Sequence, residues 1–181
     1  RVTATLGVAL FPRDGADFEA LLRSADLAMY SAKEGGRDAM AYYRDAMGQA
    51  LRARTELEGD LRRALERREF EVFYQPRVLM ATGRIVGAEA LVRWRHPTRG
   101  LLAPGLFIPV AERFGLITAL GSWVIDEACR QTAEWLELGL RIRVAINLSV
   151  HQLRQDDLVD RIAQAIRRHA LDPKLLTFEI T

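Results

Sequence analysis

The sequence predicts an α/β fold with a mainly parallel sheet, preceded by a short piece of a second domain. Two observations support this prediction. From about residue 69 onward, segments whose apolar side chains recur at every second position take turns with segments of helical periodicity, a pattern typical of α/β proteins. The first two strands are separated by Ala81, Thr82 and Gly83, and so short a turn permits only an antiparallel hairpin, because a parallel return needs about a dozen residues.

The N-terminal piece is too short to enclose a core of its own. Alternation predicts a strand at 2–11, and helical spacing predicts a helix at 17–33 that a Gly-Gly pair ends. A short strand is expected at 39–43. Residues 44–68 then carry a charged amphipathic pattern, which predicts a stiff helix rather than a flexible linker. We expect a solvated packing helix, and transmission of a signal between domains stays open as the alternative.

The second part begins at about residue 69, so the expected domains are 1–43, 44–68 and 69–181. Its expected elements are strands at 69–76, 84–94, 141–149 and 175–181 and helices at 105–114, 117–138 and 156–169. Pro76 is expected to end the first strand, because proline cannot donate to a sheet. His96 is expected in a loop.

The composition excludes several classes of function. Net charge is +2 and the basic residues are not clustered, so no nucleic-acid polymer is expected as a partner. The single cysteine, Cys129, shares a helical face with Ile125 and Leu136 and is expected in the core, which fits a reducing, cytoplasmic compartment. No apolar run reaches the roughly eighteen residues of a membrane span. The chain begins and ends inside expected strands, so we interpret it as an excerpt, and an inner-membrane anchor upstream in the parent stays open.

Three expected strands share one scheme, in which one face is apolar and the other carries an oxygen-bearing side chain near the C-terminal end. These side chains are Glu89, Asn147 and Glu179. In a parallel barrel such strand ends converge on one mouth. Two carboxylates and an amide oxygen suit Mg²⁺ or Mn²⁺. The alternative is that each polar residue simply ends its strand at the surface.

Two further polar residues lie on the same strands. Gln75 stands near the end of the first strand, and Arg93 lies on the same face as Glu89. A guanidinium there suits a phosphate or a guanine edge, because it presents a planar fork of donors. An internal ion pair between Arg93 and Glu89 is the alternative.

Several motifs carry a resemblance to known families. From about Leu57 onward the chain resembles the first half of an EAL domain, the bacterial phosphodiesterase of cyclic di-GMP. The matching motifs are FYQP, GAEALVRWRHP, GLFIPVAERFGLI, NLS and FEIT. Residues 1–38 resemble the tail of a GGDEF (diguanylate cyclase) domain, through TATLGVALFPRDG and LLRSADLAMYSAKEGGRD.

The resemblance implies a partial (β/α)₈ TIM-like barrel with an antiparallel first strand, preceded by a fragment of an α+β cyclase-like domain. It implies two metal ions, Mg²⁺ or Mn²⁺, bound by Glu89, Asn147 and Glu179, and hydrolysis of cyclic di-GMP to pGpG by metal-activated water. The substrate-binding residues that it implies are Gln75, Leu91, Arg93 and Glu112, and the cyclase remnant's phosphate contacts are Lys33 and Arg37. A homodimer through the EAL domains is a further expectation.

Some parts of both families are missing. The cyclase part lacks the GGDEF loop, and the general base and catalytic lysine of the phosphodiesterase are expected downstream of Thr181. We therefore expect the full-length parent to be the enzyme and the isolated fragment to be inactive. The alternatives are an inactive EAL domain that acts as a cyclic di-GMP receptor and an unrelated (β/α)₈ metal enzyme.

Overall fold

The computed structural model describes residues 3–36 and 38–180, and the chain divides into two compact units, 1–56 and 57–181. The strands are β1 Leu6–Val8, β2 Met40–Tyr42, β3 Phe70–Leu79, β4 Arg84–His96, β5 Gly100–Leu102, β6 Arg143–Leu148 and β7 Leu176–Ile180. The helices are α1 Phe18–Glu34, α2 Asp45–Arg67, α3 Pro104–Arg113, α4 Ile117–Glu137, α5 Val150–Leu153 and α6 Leu158–Arg168. A 3₁₀ turn at Pro173–Leu175 precedes β7.

The first unit is a small strand–helix–strand arrangement. β1 and β2 pair in parallel, and α1 begins at the N-cap Asp17, whose Oδ1 accepts from the Ala20 backbone N–H at 2.8 Å. β1 packs directly on α1, because a Cβ atom at Gly7 would lie 2.0 Å from the Ala25 carbonyl oxygen. Of the expected strand at 2–11, residue 2 lies outside the described residues, and within 3–11 only Leu6–Val8 form a strand. Large apolar side chains such as Phe18 remain exposed.

Helix α2 contains the boundary between the two units, which falls after Glu56. Within the second unit, Leu57, Leu61 and Ala64 of this helix are buried in the core. The domain limits expected from the sequence, with a separate connecting helix, stay a prediction.

The second unit is built around a five-stranded sheet of order β3-β4-β6-β7, with β5 paired to β4. β3 and β4 pair antiparallel, whereas β4, β6 and β7 are parallel. The prediction of a mixed α/β unit is confirmed. The expectation that Pro76 ends its strand is wrong, since β3 continues to Leu79. Proline is tolerated there because β3 has only β4 as a partner among the described strands, so no second strand requires its missing N–H.

The two faces of this sheet differ in chemistry. We call one the core face: its members, such as Phe70, Trp94 and Ile146, are buried under α3 and α4. Phe70 lies 5.8 Å from Phe107 of α3 and 6.0 Å from Trp123 of α4, ring centre to ring centre. We call the opposite side the polar face. Its members include Glu71, Phe73, Gln75, Arg77, Glu89, Leu91, Arg93, Asn147 and Glu179.

His96 is not in a loop, as the sequence suggested, but is the last residue of β4 and is buried. Its Nδ1 accepts hydrogen bonds from the backbone N–H groups of Thr98 and Arg99. The ring proton is therefore on Nε2, which donates to Asp60 Oδ2 at 3.1 Å. Burial alone would raise the pKa of Asp60, but hydrogen bonds from His96 and Arg63 outweigh it and lower that pKa. The pair attaches the second half of α2 to the end of β4.

Cys129 is buried on α4, as expected. Burial raises the pKa of its thiol to about 11. Among the described residues, no helix is both long and apolar enough to cross a membrane.

Candidate functional site

Glu89, Asn147 and Glu179 come together on the polar face. The register explains why: Glu89 is opposite Ala145, and Asn147, two residues farther along the same strand, is opposite Glu179. Asn147 Nδ2 donates to Glu89 Oε1 at 2.8 Å. Three parallel strands thus place three oxygen-bearing side chains on one side of the sheet.

The carboxylate of Glu179 is connected to that of Glu89 by Arg77, a residue that the sequence reasoning did not identify. Its Nη2 lies 2.6 Å from Glu179 Oε1 and 3.4 Å from Glu89 Oε2. The hydrogen bond to Glu179 raises the pKa of Arg77. Arg77 was missed because Pro76 was expected to end the strand. The signal that could have found it is the two-residue spacing from Gln75, which puts both on one face.

These contacts also show that the sheet is strongly curved. Arg77 is on β3 and Glu179 is on β7, with β4 and β6 between them. Neighbouring strands are about 4.8 Å apart, so two side chains can meet across three such spacings only if the polar face is concave. A concave face that gathers side chains from successive parallel strands is the geometry of a barrel interior.

The cluster is reached by solvent. The exposed fraction of the side chain is 28% for Glu89, 34% for Glu179 and 42% for Arg77. Two carboxylates face one guanidinium, so the group keeps one net negative charge. Within the described part of the chain, no group of three or more His, Cys, Asp or Glu side chains is placed to hold a metal ion. A metal site here would therefore need the amide oxygen of Asn147.

Gln75, Leu91 and Arg93 lie beside the cluster. Gln75 is opposite Glu89, Phe73 is opposite Leu91, and all share the polar face. The Arg93 guanidinium lies 5.8 Å from the centre of the Phe73 ring, and its Nη1 donates to the Val92 carbonyl oxygen at 2.9 Å. The contacts of Glu89 are instead with Asn147 and Arg77. Among the described residues, the alternative ion pair between Arg93 and Glu89 is thus not formed.

A cavity of about 480 Å³ opens next to Glu89 and Asn147, and Leu91 and Glu112 also line it. Its other walls come from α3, α4 and the start of α5. α5 packs closely on α4, because a Cβ atom at Gly121 would lie 2.0 Å from Gln152 Nε2. At the rim, His151 Nδ1 is 3.7 Å from Glu112 Oε1.

The cavity therefore joins four of the expected site residues, but not all of them. Gln75, Arg93 and Glu179 lie on the polar face outside the lining of this cavity. Lys33 is exposed in the last turn of α1, in the first unit. Arg37 lies outside the described residues.

Two parts of the chain match known families. A family model described as "EAL domain" matches residues 58–181, and one described as "Diguanylate cyclase, GGDEF domain" matches residues 1–39. The chain belongs to the EAL domain family. Its EAL part follows the end of a GGDEF domain, as the motifs indicated.

Named relatives align with most of the chain. The chain is 44% identical over 182 residues to the bifunctional diguanylate cyclase/cyclic di-GMP phosphodiesterase MucR of Pseudomonas aeruginosa, covering 100% of this chain and 27% of MucR. It is 41% identical over 165 residues to the cyclic di-GMP phosphodiesterase PdeR of Escherichia coli K12, covering 91% of this chain and 25% of PdeR. The chain thus spans about a quarter of the length of these curated relatives.

A solved structure agrees with the sequence relatives. The MucR phosphodiesterase in complex with c-di-GMP superposes with a TM-score of 0.67 at 48% identity, covering 68% of this chain and 50% of that one. The EAL part is therefore a mixed α/β unit with a partial sheet that resembles EAL domains, which are TIM-barrel-like. It belongs to a family of cyclic di-GMP phosphodiesterases.

Proposed function

We propose that the full-length protein is a cyclic di-GMP phosphodiesterase that hydrolyses one phosphodiester bond to give pGpG. The observation that carries this proposal is the convergence of Glu89, Asn147 and Glu179 on the concave polar face, beside a cavity. The relatives MucR and PdeR support it, because both are named for activity on cyclic di-GMP.

The three oxygen-bearing side chains would hold Mg²⁺ or Mn²⁺, in a two-metal site once the domain is complete. They fit such an ion, because carboxylate and amide oxygens are hard ligands. The position also attracts a cation, since the Arg77 guanidinium lies between the two carboxylates. A bound divalent ion supplies polarisation of a phosphoryl oxygen and a lowered pKa for the attacking water. Asn147 would present Oδ1 after rotation of its carboxamide, which now donates from Nδ2.

The remaining residues would bind and orient the dinucleotide. The Arg93 guanidinium lies over the Phe73 ring on the polar face, where a phosphate or a guanine edge could accept hydrogen bonds from its planar fork. Gln75, which lies opposite Glu89, would donate or accept a hydrogen bond at the edge of the substrate. Leu91 would provide apolar contact, and Glu112 would form the far wall of the cavity.

We further propose the complete (β/α)₈ barrel with an antiparallel first strand. The antiparallel pair of β3 and β4 next to three parallel strands supports this topology. The described strands form an open sheet, so the 181 residues alone are expected not to turn over the substrate. The domain limits 1–43, 44–68 and 69–181, the homodimer through EAL domains and the phosphate-contact role of Lys33 and Arg37 stay proposals.

The experiment uses full-length protein. Titration calorimetry with cyclic di-GMP in Ca²⁺, followed by an assay for pGpG in Mg²⁺, distinguishes the hypotheses. Binding together with turnover is the expected result, and turnover should be lost in Glu89→Gln. Binding without turnover would favour the receptor, and no binding would overturn the proposal. The earlier alternative of an unrelated barrel enzyme is excluded by the family match.

A further inference from the structure

Arg77 reaches two residues of the proposed metal site from an adjacent strand. It lies opposite Gly87 of β4. Gly87 carries no side chain, and a Cβ atom there would approach the Arg143 carbonyl oxygen to 3.0 Å. The polar face above Gly87 is consequently free of any side chain from that residue, and the arginine can extend across β4 toward β7. Its guanidinium ends between Glu89 and Glu179.

The guanidinium uses the same oxygens that a metal ion would need. Arg77 Nη2 contacts Glu89 Oε2 at 3.4 Å and both carboxylate oxygens of Glu179, at 2.6 and 2.8 Å. Glu89 Oε1 is taken by Asn147. A divalent ion bound by both carboxylates and a guanidinium placed between them would repel each other at such short range. The two cations cannot occupy this position together.

We propose that Arg77 is an internal counter-ion of the metal-free site, which a divalent ion must displace before it binds. In the metal-free protein Arg77 holds the two carboxylates together against their mutual repulsion. It thereby raises the concentration of free metal at which the site fills. The inference rests on the proposed function, because it takes Glu89 and Glu179 as metal ligands.

The test is titration calorimetry of full-length protein with Mn²⁺ in the absence of nucleotide. Arg77→Ala is expected to bind Mn²⁺ about three to ten times more tightly than the wild type, a modest factor because the ion pair is half-exposed. Arg77→Lys keeps the charge without the fork and should fall between them. The control is Arg95→Ala, which removes another exposed arginine from the same hairpin. Arg95 pairs with Glu71, which is not a proposed ligand, so the affinity should not change.

The outcomes separate this inference from the proposed function. If wild type binds Mn²⁺ and Arg77→Ala binds it equally or more weakly, the counter-ion role is overturned and the metal site stands. If Arg77→Lys tightens binding as much as Arg77→Ala, positive charge is not the cause and the role is also overturned. If wild type shows no saturable binding that Glu89→Gln removes, the metal site itself is wrong. Circular dichroism of each variant verifies that it is folded, and Arg77→Met, which keeps the apolar stem, replaces Arg77→Ala if the latter is not.

Discussion

The core face and the polar face of the five-stranded sheet have different roles. On the core face, Trp94 and Ile146 are fully buried in a core to which α3 and α4 contribute. On the polar face, Glu89, Arg77 and Glu179 remain partly exposed and contact mainly one another. Because side chains alternate along a strand, consecutive residues such as Glu89 and Ala90 belong to different faces. Substitutions at two consecutive residues of one strand can therefore alter stability and catalytic activity separately.

The largest expected effect is on activity, from the polar face. Glu179→Ala removes a proposed metal ligand, so pGpG formation by the full-length protein should fall by roughly a thousandfold or more. The free energy of local opening of β4, measured by hydrogen exchange, should change by less than about 1 kcal/mol, because the side chain is on the open side of the sheet.

Glu71→Ala serves as the control for this variant, since Glu71 is on the same face but pairs with Arg95. Its turnover should equal that of the wild type. Retention of full activity in Glu179→Ala would show that the polar face does not provide the catalytic site.

The next effect is on stability, from the core face. Trp94 is fully buried, lies 5.7 Å from Phe70 ring to ring, and donates from Nε1 to Glu69 Oε2 at 3.0 Å. Trp94→Ala should lower the opening free energy of β4 by about 3–5 kcal/mol, because a large cavity replaces the ring. Hydrogen exchange of the full-length protein measures this loss.

Trp94→Phe keeps an aromatic ring and loses the hydrogen bond, so the loss should be clearly smaller than in Trp94→Ala. Equal losses in the two variants would mean that the hydrogen bond to Glu69, and not packing, dominates at this position.

A smaller effect is expected at the end of β4, where His96 contacts Asp60 of helix α2. His96→Ala leaves the N–H groups of Thr98 and Arg99 without this acceptor, and Asp60 loses the hydrogen bond from His96 while it keeps the one from Arg63. Protection against exchange in the second half of α2 and at the end of β4 should fall by about 1–3 kcal/mol. His151→Ala, at an exposed histidine, should leave it unchanged. An unaltered exchange pattern in His96→Ala would refute the role of this pair as an attachment.

The smallest effect concerns Cys129 on the helix that covers the core face. With a pKa of about 11, roughly one thiol in a thousand is ionised at pH 8, and the group is also buried. A disulfide reagent added to native full-length protein should leave Cys129 unmodified, as read by mass spectrometry of its peptide, until denaturant is added. Rapid modification of the native protein would show that this side of the core opens readily.

Much of this division could be predicted from the sequence, because alternation in a strand depends on local pattern alone. The alternation in β4, β6 and β7 was sufficient to place Glu89, Asn147 and Glu179 on one face. The convergence of their tips depends on sheet curvature, which no single strand encodes. Two residues were misjudged for a related reason. Pro76 is of a residue type that commonly ends strands, and His96 precedes Pro97, but their strand character comes from pairing with Ala88 and Gly100 in other strands.

The most direct test of the metal-site proposal is a crystal structure of the full-length protein grown with Mn²⁺, with the ion located by its anomalous scattering. We predict a peak about 2.0–2.2 Å from oxygens of Glu89, Asn147 and Glu179, with the Arg77 guanidinium moved out from between the carboxylates. A peak elsewhere, with Arg77 still bridging Glu89 and Glu179, would contradict the account.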